Sequence, residues 1–350
     1  MRIALFALGA SMVVATALPL LRSDRWWIRI FDFPRIQITA LIVLALALHP
    51  LFAGSYNSSD YLLLASLAAC LAYQCFMMFP YTPLARRQVQ SSRGAREGHG
   101  LSLLFANVLM DNRNAERLKE LIREADPDII LTVETDGWWE ERLREFERTH
   151  PHAVRRPQGN TYGMLLYSKL ELVGPEVKFL VQDDIPSIHA RVRLPGGREV
   201  GLHCLHPRPP FPTEDDSATE RDAELLIVGR SIKEEEAVPV VVLGDLNDVA
   251  WSRTNYLFKD ISGLLDPRVG RGFYNTFHAK YPFIRFPLDH FFHSNHFRLV
   301  DFRRLPYFGS DHFPVFISLS YEPEAEAEQP ELQATPSEQR EASEKIEKAS

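Results

Sequence analysis

The stretch Val240–Ser252, VVVLGDLNDVAWS, decides how this chain is read. An unbroken apolar run, Val240 to Leu243, meets Gly244, and then Asp245, Asn247 and Asp248 follow within four residues. A short continuous apolar run closed by turn residues is the pattern of a strand buried on both faces. Its polar end then lies on a rim. Taken alone, GDLND is equally an Asx-rich turn, since Asp and Asn suit turn conformations.

The same pattern repeats outward from it. LSLLFANV, DIILTVE, GMLLYS, ARVRL, VGLHCLH, LDHFFHS and FPVFISLS read as buried or half-buried strands. AERLKELIREA (115–125) and ATERDAELLIVGRSIKEE (218–235) carry helical periodicity between them. Many strands and few helices over residues 101–320 predict an α+β domain, a two-sheet sandwich with helices outside. Each apolar run ends in a metal ligand or an acid–base group: Asn107, Glu134, His206, Asp245 with Asn247, Asp289, then Asp311 with His312. A single such ending means little. Strands of one sandwich end at a common rim, so together these groups can supply hard oxygen ligands and two imidazoles to one place.

In order, the motifs are FANVLMDN (105–112), PDIILTVE (127–134), YGMLLYS (162–168), HCLHPRPP (203–210), the GDLND stretch, PLDHFFHS (287–294) and GSDHFPV (309–315). This set resembles the endonuclease/exonuclease/phosphatase superfamily, DNase I-like, in a membrane-anchored bacterial form. The resemblance implies a four-layer αββα sandwich and divalent-metal hydrolysis of phosphoric esters, with Mg²⁺ or Mn²⁺ as cofactor. It implies that Glu134 holds the metal with Asn107 and Asp311 near it. Asp245 would orient or deprotonate the attacking water, and Asn247 would hold a phosphoryl oxygen. His312 would stand beside the phosphate, positioned by Asp289, and His206 would donate to a phosphoryl or leaving-group oxygen. Tyr162, Asn160, Arg208 and Arg221 are weaker candidates for phosphate contact. Trp138 and Trp139 form an aromatic wall or pack the rim, and Trp251 reads as packing. Pro209, Pro210 and Pro212 stiffen the loop after His206.

Three charge-free apolar segments precede this domain, residues 3–21, 36–53 and 61–80. Each meets the ~17–25 residues that a helix needs to span the hydrocarbon core. The connection between the first two holds Arg22, Arg25, Arg29 and Arg35, with Trp26 and Trp27 as interfacial anchors. Residues 54–60 hold no Lys or Arg, and Arg86, Arg87, Arg93 and Arg96 follow the third segment. The positive-inside bias puts the catalytic domain in the cytoplasm of a multi-pass inner-membrane protein, with an extracytoplasmic domain as the alternative. The expected organisation is a membrane domain over 1–81, a linker over 82–100, a catalytic domain over 101–320 and a disordered acidic tail over 321–350. A fragment from Glu97 to Tyr321 is expected to fold alone.

Residues 101–320 carry 27 Lys and Arg against 33 Asp and Glu, a net of −6. Nonspecific grip on long nucleic acid normally needs a basic stripe, so a small or lipid-linked phosphoester is favoured. A membrane-tethered nuclease, which shares every catalytic residue, is the alternative. A catalytically inactive binding module is a third class, and the intact set of ionisable residues argues against it. The three cysteines are too few for a disulfide framework.

Overall fold

Period-two alternation builds the two sheets around one shared core. Along β1 (Gly100–Asn107), Leu101, Leu103 and Phe105 point to the centre, while Leu104 and Ala106 point to an outer helix layer. Along β8 (Val240–Asp245), Val241 and Leu243 face the centre, and Val240 and Val242 face the opposite helix layer. Strands covered on both sides have no polar face, which is why both run as continuous hydrophobics. The computed structural model describes residues 2–52, 55–94, 98–211, 214–235 and 238–349. Arg96, Glu97 and Pro212, used above, lie outside the described residues.

Three long helices, α1 (Arg2–Ala17), α3 (Arg35–Phe52) and α4 (Ser58–Met78), come first, with the single turn α2 (Trp26–Arg29) between α1 and α3. Counting the adjoining turns, Arg2–Leu21, Arg35–Phe52 and Ser58–Tyr81 are long and apolar enough to cross a membrane. They pack on one another through Ala15, Ile42 and Leu67.

After β1 the chain runs through α5 (Ala115–Ala125), β2 (Ile129–Val133), α6 (Gly137–Leu143), β3 (His152–Arg156) and β4 (Met164–Ser168). Next come β5 (Leu172–Lys178), β6 (Ser187–Arg193), β7 (Glu199–Leu205), α7 (Thr219–Glu234), β8 and α8 (Arg253–Ser262). The chain closes with β9 (Asp289–His293), β10 (Phe297–Arg304), β11 (Val315–Tyr321) and α9 (Pro336–Lys348). One sheet has the order β10-β11-β1-β2-β4-β3, the other β5-β6-β7-β8-β9. Helices α5 and α6 cover the first, and α7 and α8 cover the second. This is the expected α+β four-layer arrangement.

Topology then collects the strand ends. β1 and β2 are parallel, as are β7 and β8, so all four finish on the same rim. β9 begins opposite the end of β8, with Asp289 beside Asp245, and β11 begins beside Phe105 near the end of β1. Gly244 is required there. Its φ is +150°, and a Cβ would come within 1.8 Å of the Leu205 carbonyl oxygen on β7.

The junctions differ from the expected organisation in two places. Residues 82–94 do not behave as a free linker. Val89 is fully buried in the central core, and Ser91 bridges to Leu299. The apolar helices and the sandwich also share packing: Met78 and Tyr81 are buried with Val249, Ala250, Trp251 and Leu288. The Tyr81 hydroxyl donates to the Ala250 carbonyl (2.6 Å), and Trp251 Nε1 donates to the Asp32 carbonyl (2.7 Å). A fragment beginning at residue 97 would strip these partners away.

The tail is the second difference. Beyond Tyr321 the chain turns at Pro323–Ala327 and then forms α9 against α7 and α8. Thr335 and Glu338 make a reciprocal capping box, Ala342 is buried with Leu226 and Leu257, and Arg253 binds Glu338 and Glu341. Low apolar content suggested disorder, but a narrow apolar stripe plus specific ion pairs to the sandwich is enough to dock one helix.

Candidate active site

The eight side chains singled out from the strand ends come together at this rim. Asn107, the last residue of β1, donates through Nδ2 to Glu134 Oε1 (2.7 Å) and to Asp245 Oδ2 (3.0 Å). His312 Nε2 lies 3.4 Å from that same Asp245 oxygen, and its Nδ1 faces both oxygens of Asp289 at 3.0 and 3.1 Å. Asn247 is held two residues beyond Asp245, its backbone N–H donating to Asp245 Oδ1 (3.0 Å) and its Nδ2 to the Pro207 carbonyl (3.0 Å). His206 and Asp311 lie close enough for charge interactions, the first with Asp245 and His312, the second with Glu134 and His312.

Local backbone aims these groups. Glu134 has a φ of +59° and Asn247 of +51°. Such left-handed turns cost a non-glycine residue about 1–3 kcal/mol and persist only where surrounding bonds hold them. The ladder continues around Glu134, with Val108 N donating to Val133 O (3.1 Å) and Thr135 N to Gly163 O (3.0 Å). The Ser310 hydroxyl donates to the Asn107 carbonyl (2.8 Å) and accepts from His312 N (3.0 Å), tying the loop before β11 to the end of β1.

Burial separates the charges of this cluster. Glu134 is pushed up to about 7 by burial, against the opposing Asn107 amide. Burial also lifts Asp245, with His312 opposing and Asp289 adding to the lift. His206, buried, is pushed down to about 4 despite Asp245, and its Nδ1 has no hydrogen-bond partner. Burial would lower His312 too, but Asp289, Asp245 and Asp311 together overcome it and raise it to about 10. One imidazole is therefore neutral at pH 7 and the other cationic.

The Glu134 carboxylate, half-buried and without a cationic hydrogen-bonding partner, suits a bound cation, and the Asp245 and Asp311 carboxylates nearby add oxygen donors, while Asn107 turns its Nδ2 to Glu134 and Asp245 and its Oδ1 accepts from Leu109 N (3.0 Å). That set fits a hard divalent ion. Asp245, Asp289 and His312 also bring three ligand atoms within 4.8 Å of one another. In that trio, however, His312 Nδ1 is already committed to Asp289, the arrangement of an oriented imidazole.

Of the weaker candidates, the Tyr162 ring lies against His206 (5.3 Å between centroids), while its hydroxyl donates to Glu214. Asn160 and Arg208 both bond Asp184 on the flank. Trp139 and Trp251 are fully buried, and half-buried Trp138 lies under the guanidinium groups of Arg113 and Arg142. Packing, not an aromatic wall, accounts for the first two.

Arg221 is buried beneath the catalytic loop rather than free. It donates to the Asn247 carbonyl (2.8 Å) and pairs with Asp222 and Asp248 (2.7 and 3.0 Å). Arg29, from α2, reaches Asp248 from the other side at 3.2 Å. In the sequence Arg29 reads only as a topology charge and Asp248 only as part of an Asx-rich turn, while Asp222, Ser310 and Thr276, whose hydroxyl accepts from Asp289 N (3.3 Å), carry no local signal. The last aspartate of GDLND was the one available signal.

One further loop joins the site to the apolar helices. The Phe277 ring lies 5.0 Å from the His312 ring, and Ala279 N donates to the Asp311 carbonyl (2.6 Å). At the other end of that loop, Gln37, in the first turn of α3, donates through Nε2 to the Phe283 carbonyl (2.7 Å). Tyr281, Phe283 and Ile284 are 57%, 86% and 53% exposed.

The model of the Endonuclease/Exonuclease/phosphatase family matches residues 104–312. No curated protein matches the sequence. Among solved structures, D. rerio TDP2 complexed with a single-strand DNA product is similar at 18% identity and a TM-score of 0.51, covering 63% of this chain and 99% of that one. The human Nocturnin catalytic domain with bound sulfate is similar at 16% and 0.51, covering 67% and 99%. An endonuclease/exonuclease/phosphatase from Beutenbergia cavernae gives 17% and 0.50, covering 64% and 72%. At these identities the structures share the fold.

Proposed function

For a chain that belongs to the Endonuclease/Exonuclease/phosphatase family, and is thus a phosphoric ester hydrolase, we propose a membrane-anchored, divalent-metal-dependent enzyme that hydrolyses a small or lipid-linked phosphoester. The observation carrying the membrane part is the loop from Phe277 to Phe286. It touches His312 and Asp311 at one end and the start of α3 at the other, with Tyr281, Phe283 and Ile284 exposed between. Exposed aromatic and branched side chains beside a spanning helix belong at the headgroup level. The catalytic rim then opens next to the bilayer surface, where a lipid headgroup would meet it.

In this reading Glu134, with Asn107 and Asp311, would hold Mg²⁺ or Mn²⁺, which would supply Lewis-acid stabilisation to the phosphoryl group. Asp245 orients the attacking water and receives its proton. His312, kept cationic and fixed by Asp289, stabilises the charge that gathers on the phosphoryl oxygens, with Asn247 donating alongside. Neutral His206 keeps a ring nitrogen available for a phosphoryl or leaving-group oxygen.

The deciding experiment assays the full chain in mixed micelles against phospholipids, sugar phosphates, single-stranded DNA and RNA, with Mg²⁺, Mn²⁺ or EDTA. Metal-dependent turnover of a lipid or small phosphoester supports the reading. Preference for nucleic acid moves the nuclease reading ahead, the one to which D. rerio TDP2 with its single-strand DNA product lends weight. Full activity in EDTA refutes the metal requirement. The domain and Arg22–Arg35 lie on one side of the membrane in this reading, and the positive-inside bias makes that side the cytoplasm.

A further inference from the structure

Beside the catalytic rim lies a hollow of about 570 Å³ that the proposed chemistry does not use. Arg285, Arg303 and Arg304 line it, with Tyr274 and Phe302 on its apolar side. Arg304 ends β10 and pairs with Val315, which in turn pairs with Phe105, two residues before Asn107. Arg285 follows the exposed Tyr281, Phe283 and Ile284 on the loop that reaches the site. Its Nη2 donates to the Ala279 carbonyl (3.0 Å), and Ala279 N donates to the Asp311 carbonyl. Two hydrogen bonds therefore join this guanidinium to a proposed metal residue.

Two of the three cations have no counter-charge. Arg285 and Arg304 share one ring, Phe313, the residue after His312, with guanidinium carbons 5.0 and 4.2 Å from its centroid. Among the described residues they bond only backbone carbonyls, Ala279 for Arg285 and Asn275 for Arg304 (2.6 Å), and no carboxylate pairs with either. Burial, together with the neighbouring Arg285 charge, lowers Arg304 below the ordinary arginine range. Like charges held together are unfavourable without an anion between them. Residues 101–320 carry a net −6, yet none of that acidity is placed here. Arg303 differs, since Asp301 lies 3.4 Å away. Arg285 is half-buried and Arg304 exposed, so a ligand in the hollow reaches both.

From this unneutralised pair at the shoulder of the site we infer that the substrate carries a second phosphoryl group, which Arg285 and Arg304 hold while the first reacts beside His312. Planar guanidinium forks match phosphate oxygens, and stacking on Phe313 fixes both forks on one side of the cleft. The substrate class is then a bisphosphorylated small or lipid-linked compound. One corner with two unpaired arginines suits one phosphate, whereas a polynucleotide would need a basic stripe. The inference rests on the phosphoesterase reading above and narrows its substrate.

The test titrates the full chain, in detergent micelles with excess Mg²⁺, with α,ω-alkanebisphosphonates from propane to octane and with the matching alkylphosphonates. Their C–P bonds resist hydrolysis, so calorimetry reads binding alone. At the spacing that fits, the bisphosphonate should bind wild type at least ~10-fold tighter than its monophosphonate, the span of one charge-assisted contact. Arg304→Gln, at an exposed position, should melt with wild type, lose that preference and keep the monophosphonate affinity. Arg285→Gln should do the same, Arg304→Lys should keep part of the preference, and Arg191→Gln, on β6 of the other sheet, should keep all of it. An equal preference for phosphatidylglycerol phosphate over phosphatidylglycerol supports a lipid source, and a preference confined to the soluble series supports a small one. No preference at any spacing, or one unchanged in Arg304→Gln, overturns the subsite and leaves the phosphoesterase reading standing. Arg304-dependent binding of tetrathymidylate tighter than every bisphosphonate overturns the assigned substrate class. Failure to bind any phosphonate overturns both the subsite and the reading beneath it.

Discussion

Arg29, in the connection between the first two long apolar helices, lies 3.2 Å from Asp248, the residue after Asn247. The two are 6% and 1% exposed, and Arg221 pairs with Asp248 from beneath. Asp222, held well below the usual carboxylate range despite its burial by Lys345, Arg221 and Arg29, completes a buried charge network. The connection between the apolar helices and the GDLND loop therefore share one set of ion pairs.

Removing one member of such a network strands the others. Arg29→Met should destabilise the chain by roughly 3–5 kcal/mol, because Asp248, already raised by burial, is left with one of its two cationic partners gone. Chemical denaturation in detergent measures this. Turnover of a soluble chromogenic phosphodiester should fall with it, and a fragment starting at residue 98 should be aggregation-prone. Wild-type stability and turnover in that fragment would show that the shared packing is incidental.

At Glu134 the side chain is raised by burial, so replacing its carboxylate with an amide should leave stability without metal unchanged or slightly higher. Glu134→Gln should nevertheless lose activity, and should lose the rise in Tm that wild type shows with Mg²⁺ or Mn²⁺. A variant that still gains stability from metal places the ion elsewhere, with Asp245, Asp289 and His312 as the alternative trio.

The Asp289–His312 contact predicts a rate effect more than a binding effect. Asp289→Asn should lower kcat by about 10²–10⁴, the usual span for an acid–base or charge-stabilising group, with KM nearly unchanged. It should also lower the His312 titration seen by NMR, since Asp289 is foremost among the carboxylates that raise it. An unmoved titration would mean that Asp245 and Asp311 suffice.

Glu224 on α7 offers a pH test far from metal chemistry. It is 3% exposed, its Oε1 has no partner, and burial pushes it from an ordinary 4.5 up to about 8. The fold favours the protonated form, so that contribution is complete below about pH 4.5 and disappears as pH rises through 8. Glu224→Gln should flatten the loss of Tm between about pH 5 and about pH 9. Parallel Tm curves for the two proteins would show that Glu224 titrates normally.

Much of this was legible in the chain because the relevant physics is local. Continuous apolar runs such as VVVLG need cover on both faces, and the polar residues that end them must lie where the cover stops. The αββα layering and the meeting of Asn107, Glu134, Asp245, Asp289 and His312 on one rim follow from that pattern together with the family resemblance. Length and composition alone marked the three helices long and apolar enough to cross a membrane. Other features had no local signature. The tail looked disordered because the energy that docks α9 comes from Arg253, Asp222 and Asp24, distant in sequence. Arg29 looked like a topology signal, and Arg221 like a weak candidate for phosphate contact. Only tertiary structure brings them to Asp248, because a buried ion pair depends on which surfaces close over it, and no spacing along the chain encodes that.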